Sequence, residues 1–211
     1  MENIKFDIPS ILHRTKTVTT ELHFNLPQKD SNTSTDITFV NWQPPPTNIF
    51  KLNTDGSVEG NPGPAGAGGV IRDHAGSWVK GFSRKIGITN SLAAELWGLR
   101  DGLMLAHQIH IKKIIIELDA KAVLELVHPA IFTSISHHPY GALIFDCRSL
   151  IQDFEEAHLQ HTFREGNATA DLLAKAGKNL LCPFVYFDEP PLFAVSQVLA
   201  DCRGVKYPRL M

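Results

Sequence analysis

Residues 49–83 read IFKLNTDGSVEGNPGPAGAGGVIRDHAGSWVKGFS. Ile49 to Asp55 reads as a strand, the Gly- and Pro-rich stretch Gly60-Asn61-Pro62-Gly63-Pro64 turns the chain, and Ala67 to Arg72 reads as a second strand. Asp73-His74-Ala75-Gly76-Ser77 is hairpin-turn chemistry, and Trp78 to Ser83 follows as a third strand. Three strands joined by short turns make an antiparallel meander, which sets the first half of a sheet.

Downstream, Leu92, Leu96, Leu99, Leu103 and Ala106 recur at helical spacing, so Ser91 to Gln108 is an amphipathic helix whose apolar stripe lies on that sheet. Lys112 to Asp119 carries Ile114-Ile115-Ile116, a continuous β-branched run suited to a strand buried on both faces in a parallel part of the sheet. A short helix from Ala120 to Val127 follows, then one marked by Leu143, Cys147, Leu150 and Phe154. Ala157 to Phe163 is a fifth strand, and Asn167, a good N-cap, opens a helix to about Leu180. The order βββαβααβα implies an α/β fold: a five-stranded mixed sheet, antiparallel meander plus parallel strands, with helices on its faces. Residues 1–46, rich in scattered Thr, Ser, Asn and Asp and ending in Trp42-Gln43-Pro44-Pro45-Pro46, read as a mostly disordered linker. Residues 47–181 form the domain. Residues 182–211, with Asp188-Glu189-Pro190-Pro191 and a short helix near Val195 to Ala200, read as a peripheral tail.

The 211 residues carry 20 Lys and Arg against 22 Asp and Glu, a formal charge of −2 that excludes a polybasic, histone-like binder; any contact with a polyanion must come from a local face. Cys147, Cys182 and Cys202 contain no C-x-x-C pair and suit reduced thiols inside the cell, nuclear or cytoplasmic. Charges and Pro9 interrupt the N-terminal apolar runs, so no secretory segment is expected, and no stretch is long enough for a membrane span. The chain is read as a monomer.

Acidic residues fall where such a sheet gathers ligands, at the junctions of strands and helices. Asp55 ends the first strand, Asp119 ends the fourth, Glu95 borders the leucine stripe of the long helix, and Asp171 lies in the first turn of the last one. Each has a plain structural use: a turn at Asp55-Gly56, an exposed helix position at Glu95, an N-cap at Asp119, a helix-dipole partner at Asp171. Together they suggest more. If the first and fourth strands are neighbours, four carboxylates meet at one sheet end. Such a group repels itself unless cations neutralise it, and hard oxygen ligands select Mg²⁺ or Mn²⁺.

These stretches resemble the four motifs of type 1 ribonuclease H. Asp55-Gly56-Ser57-Val58-Glu59-Gly60-Asn61-Pro62-Gly63-Pro64 is similar to the family's D-G-S-x-x-G-N-P-G-P turn, Thr89 to Leu96 to its second motif, and Ile116-Glu117-Leu118-Asp119 to its third. His161 to Asp171 resembles the fourth, with His ten residues before Asp. The resemblance covers about Lys51 to Leu181 and is nearest to the plant subfamily found as stand-alone proteins and in non-LTR retroelement reverse transcriptases, which the Trp42 lead-in and the Phe187-Asp188-Glu189-Pro190-Pro191 tail also suit.

The resemblance implies a metal-dependent endonuclease that hydrolyses the RNA strand of RNA–DNA hybrids. Asp55, Glu95, Asp119 and Asp171 would hold two Mg²⁺ ions, for which Mn²⁺ can substitute, and His161, in a mobile loop, would assist proton transfer or product release. Gly56, Ser57, Asn61, Asn90 and Ser91 sit where family members contact the hybrid, the amides of Gly56 and Ser57 approaching the RNA strand. The second motif departs from the bacterial pattern: Asn90 lies five residues before Glu95, and Leu92 takes a place often polar. A basic protrusion carried by some members is also missing, because residues 130–140 hold no Lys or Arg. Substrate grip would then rest on Lys80, Arg84, Lys85 and Arg164. The glycine run Gly63 to Gly69 lacks a P-loop ending, and His107, His110 and the pair His137-His138 lack metal-type partners. The alternative reading is a non-catalytic nucleic-acid-binding or interaction module derived from a retroelement.

Overall fold

The computed structural model describes residues 37–128, 135 and 137–210. The first 36 residues of the expected linker, and most of the segment compared with the basic protrusion, lie outside them. The described elements are β1 (Ile37–Val40), β2 (Phe50–Val58), β3 (Gly63–Arg72), β4 (Trp78–Thr89), α1 (Ser91–Gln108), β5 (Lys113–Leu118), α2 (Lys121–Val127), α3 (Gly141–Gln152), β6 (Glu156–His161), a 3-10 turn (Arg164–Asn167), α4 (Ala168–Lys178), β7 (Phe184–Phe187), α5 (Leu192–Cys202) and β8 (Tyr207–Leu210).

The main sheet has the order β6-β5-β2-β3-β4-β7. The meander β2-β3-β4 is antiparallel, and β5 lies parallel between β2 and β6, as the isoleucine run implied. The sheet has six strands rather than five, because Phe184-Val185-Tyr186-Phe187 pairs antiparallel with Gly81 to Arg84 of β4. Four residues flanked by Pro183 and by Asp188-Glu189-Pro190-Pro191 read as a turn-bounded fragment of tail. An open strand edge beside them supplies the hydrogen bonds that make them a strand.

Two glycines show how the helices close on the sheet. A Cβ at Gly56 would lie 2.3 Å from the backbone nitrogen of Glu95 in α1, and one at Gly68 would lie 2.3 Å from that of Ala174 in α4. Gly68 pairs with Asp55, the residue beside Gly56, and successive strand residues face opposite sides. The helices α1 and α4 therefore pack on opposite faces, each closer than a side chain would allow. The α1 side is apolar, with Leu52, Leu96, Leu99, Leu103, Ile114 and Ile116 fully buried. Each such side chain contributes about 1.5–3 kcal/mol on burial.

The other face carries a buried polar layer built from alternate residues of β2. Lys51 Nζ donates to Glu117 Oε1 at 2.8 Å and to the Gln43 carbonyl at 2.8 Å; Asn53 Nδ2 donates to Glu117 Oε2 at 2.8 Å. Arg72, opposite Lys51 on β3, donates to Asp201 Oδ2 of α5 at 2.6 Å and to Asn53 Oδ1 at 3.0 Å, and its guanidinium lies 3.7 Å from the centre of the Trp42 ring. Trp42 Nε1 completes the layer by donating to Asn53 Oδ1 at 2.9 Å.

Both flanks of the expected domain thus enter the fold. Residues 37–46, read as linker, include buried Trp42 and a strand, β1, that pairs with β8. Residues 184–210, read as a tail, form β7, α5 and β8, and Asp201 of α5 neutralises a fully buried arginine. Asp201 is hard to foresee because its partner lies 129 positions away. Cys147, Cys182 and Cys202 form no disulfide, and among the described residues no helix is long and apolar enough to cross a membrane.

Candidate active site

The ladder between β2 and β5 aligns Asn53 with Glu117. Two residues further along each chain stand Asp55 and Asp119, which brings both carboxylates to one end of the sheet. Glu95, in the second turn of α1, reaches the same point from above the sheet edge, guided by a hydrogen bond from the Gly56 amide to Oε2 at 3.1 Å. One oxygen from each of Asp55, Glu95 and Asp119 falls within a group no wider than 4.8 Å. Asp171, in the first turn of α4, lines the same cleft outside this tight group, with Lys175 Nζ at 2.6 Å and Arg164 at 3.6 Å. Asp55 differs from expectation in one respect: β2 does not end there but continues to Val58.

Burial is the main reason that the Asp55 and Glu95 carboxyls hold their protons well above the usual carboxylate range, and repulsion from the neighbouring acids, Asp119 and Asp171 among them, adds to it. Burial raises Asp119 as well, against hydrogen bonds and Arg164, which act to lower it. Carboxyls protonated more readily in the fold than in the open chain add stability at low pH, and that contribution is lost as pH rises above the ordinary range of about 4. In the presence of a chelator, the melting temperature is expected to fall as pH is raised from about 5 to about 8. Glu95→Gln should flatten this slope. A slope unchanged by the substitution would show that the acids are not crowded in solution.

Asn167 is the positioning residue that reading by helix caps misplaces. It does not cap α4 through its side chain; a 3-10 turn precedes the helix, and the buried amide Nδ2 donates to the Thr54 carbonyl at 2.9 Å and to Asp119 Oδ1 at 3.3 Å. Asn53 Nδ2 lies 3.3 Å from Asn167 Oδ1, so the polar layer under the sheet runs directly into the acidic group. Asp119 is not an N-cap either: Ala120 holds that place in α2, with no side-chain cap. The signal for the layer was present in the alternation Lys51, Asn53, Asp55 within a strand otherwise expected to be buried.

The residues expected to meet substrate separate into two groups. Gly56, Ser57, Asn61 and Ser91 line a cleft of about 330 Å³ with the acids, and Asn61 Oδ1 accepts the Ser91 amide at 3.2 Å. Asn90 does not line that cleft; its Oδ1 accepts the Ala93 amide at 3.0 Å as the cap of α1, and its Nδ2 donates to the Tyr140 hydroxyl at 2.6 Å. The Gly56 amide is occupied by Glu95. His161 is no loop residue: it is the last residue of β6, paired with Leu118, and the Thr162 amide continues the ladder to the Leu118 carbonyl at 2.8 Å. It lines an adjoining cleft that also contains Asp119.

All four cations expected to grip substrate have partners within the chain, Arg164 through the Asp171 carboxylate already described. Lys80 pairs with Asp188, Arg84 binds both Asp101 oxygens at 2.9 and 3.0 Å over the Trp97 ring, and Lys85 donates to the Leu180 carbonyl at 2.9 Å. Only Arg164 stands at the clefts. His107, weighed as a metal ligand, stacks on Phe154 and bonds the Leu150 carbonyl.

Comparison with known proteins agrees with this architecture. A family model described as "Reverse transcriptase-like" matches residues 53–177. An Arabidopsis thaliana protein named "Putative ribonuclease H protein" is 35% identical over 170 residues, 81% of this chain, which spans 27% of that protein's length. Among solved structures, RNase H1 of Halobacterium salinarum superposes with a TM-score of 0.57 at 26% identity, over 62% of this chain and 98% of that one. A compost-derived RNase H1, LC11, solved in complex with an RNA/DNA hybrid, gives a TM-score of 0.56 at 24% identity, over 62% and 96%. With its mixed sheet, opposed helices and four acidic motifs in ribonuclease H order, the chain belongs to the reverse transcriptase-like family of type 1 ribonuclease H domains.

Proposed function

We propose that the chain is a metal-dependent endonuclease that hydrolyses the RNA strand of RNA–DNA hybrids. The observation that carries this reading is the convergence of Asp55, Glu95 and Asp119 within 4.8 Å at the end of parallel strands, with Asp171 beside them. The donor set fits hard divalent ions such as Mg²⁺ or Mn²⁺: all oxygen, crowded, and under burial and repulsion that a cation relieves. Asp55, Glu95 and Asp119 would hold the first ion and Asp171 would share in a second. When bound, such ions polarise a phosphodiester and activate water. The hybrid-bound LC11 structure supports the choice of substrate.

The chain's own residues supply the rest. Asn167 and the Gly56 amide fix the orientation of Asp119 and Glu95. Ser57, Asn61 and Ser91 present polar groups along the cleft, where the 2′-hydroxyl of the RNA strand offers the feature that separates it from DNA. His161, which lines the adjoining cleft, takes up or returns a proton.

The direct test is cleavage of a labelled hybrid with and without Mg²⁺, beside single-stranded RNA and duplex DNA. Cleavage of the RNA strand of the hybrid alone, dependent on the ion, is expected. Binding without cleavage would favour the non-catalytic module. His161→Ala should lower the rate by about 10²-fold while leaving the Mg²⁺ requirement and the melting temperature unchanged. Complete loss together with a lost ion requirement would make His161 a ligand instead.

A further inference from the structure

The cleft that contains His161, about 380 Å³, collects positive charge from three separate elements: Lys121 at the start of α2, Arg164 in the 3-10 turn, and Arg209 on β8. It adjoins the acidic cleft directly, since Asp119 and Arg164 line both. Arg209 lies beyond residues 53–177, the span shared with the family model. Its position is fixed on two sides. The guanidinium lies 4.3 Å from the centre of the Phe163 ring, and Glu165 holds it through Nη1 alone, at 2.9 and 3.1 Å. The Nε and Nη2 donors, the edge that matches two oxygens of a phosphate, have no partner among the described residues. Lys121 is exposed and likewise has no ion pair among them.

We propose that Lys121, Arg164 and Arg209 form a subsite for a backbone phosphate of the bound nucleic acid, next to the phosphodiester that lies over the acidic group. The inference rests on the hydrolase reading above and names where that site takes its grip. Lys80, Arg84 and Lys85 are held away from the clefts, whereas Lys121, Arg164 and Arg209 line one cleft together, Arg164 also lying 3.6 Å from Asp171. Preorganisation by Phe163 and Glu165 limits the entropy lost when Arg209 meets its ligand. Glu165 also competes for that guanidinium, so its removal acts in the opposite sense to removal of the cations.

The test measures binding of a fluorescent hybrid to the full chain in Mg²⁺, with Asp55→Asn present throughout to prevent cleavage, over a series of salt concentrations. Arg209→Gln and Lys121→Gln should each weaken binding about fivefold at 0.1 M salt and make the salt dependence shallower by about one ion. Glu165→Gln should strengthen binding about threefold, a gain that a purely structural ion pair would not produce. If Arg209→Gln proves unstable by its melting temperature, Lys121→Gln and Glu165→Gln carry the test. Unchanged affinity and salt slope in these variants, with the parent still cleaving hybrid, would overturn the subsite alone. Failure of the parent to bind hybrid would overturn the hydrolase reading and the subsite with it.

Discussion

Replacing Asp55 by Asn is expected to lower hybrid cleavage by about 10³-fold or more, equivalent to about 4 kcal/mol of barrier, while the metal-free protein melts at the same or a higher temperature. Both halves follow from one arrangement. Asp55 is buried at the centre of the acidic group, so its charge is the one whose loss most weakens the hold on a cation. The same charge opposes folding when no cation is present, because burial and its acidic neighbours both disfavour it. Mg²⁺ should raise the melting temperature of the parent and raise that of the variant less, since it binds the folded arrangement alone. Thermal melts with and without Mg²⁺, run beside the cleavage assay, check the pair of outcomes. Cleavage within tenfold of the parent, or equal Mg²⁺ shifts in both proteins, would remove Asp55 from the ion site.

The second large effect lies away from the chemistry. Asp201→Ala should cost about 3–5 kcal/mol of stability, because it strands the fully buried Arg72 guanidinium without its carboxylate. The side chains of Arg72 and Asp201 are 0% and 2% exposed, and burial already pulls the Arg72 proton affinity down against the support of Asp201. Thr169 donates to Asp201 Oδ2 at 2.8 Å and Gln197 to Oδ1 at 2.8 Å; Ala leaves the buried Thr169 hydroxyl without this acceptor, while Gln197 keeps the Tyr207 hydroxyl at 3.3 Å. Replacing the pair by apolar residues, Arg72→Met with Asp201→Leu, should recover a large part of the loss, as paired removal leaves no isolated charge. Urea unfolding of the three proteins measures both steps. A loss under about 1 kcal/mol for Asp201→Ala would mean that Arg72 finds another partner or water.

The span from β2 to α4 was legible in sequence because each of its signals is local. Leucines at helical spacing mark α1, and Ile114-Ile115-Ile116 marks a strand that parallel neighbours cover. The acidic residues could be brought together on paper once two strands were taken as neighbours. What local pattern missed was decided by partners far along the chain. Phe184-Val185-Tyr186-Phe187 becomes a strand only beside β4, and Asn167 turns inward only because the Thr54 carbonyl and Asp119 await it. Lys80, Arg84 and Lys85 could be read as substrate grip only until Asp188, Asp101 and the Leu180 carbonyl were set beside them. Arg209 carried no signal, for it sits in a stretch without motif or period.

The pairing of β1 with β8 has a consequence for how the protein comes into being. Ile37 lies opposite Leu210, so this ladder joins residues made at opposite ends of the period in which the domain is synthesised. A ribosome delivers the motif-bearing span first, at about 5–20 residues per second, with Arg72 still lacking Asp201 and Trp42 held down on one side only. Until β7 emerges, the nascent sheet also carries β4 as an open edge, the kind of surface that recruits other chains. Nascent chains arrested before Asp201 should therefore remain open to protease although every acidic motif has been made, and protection should arrive with α5 and β8. The residues that bear the chemistry are thus translated well before the ones that allow them to take up their places.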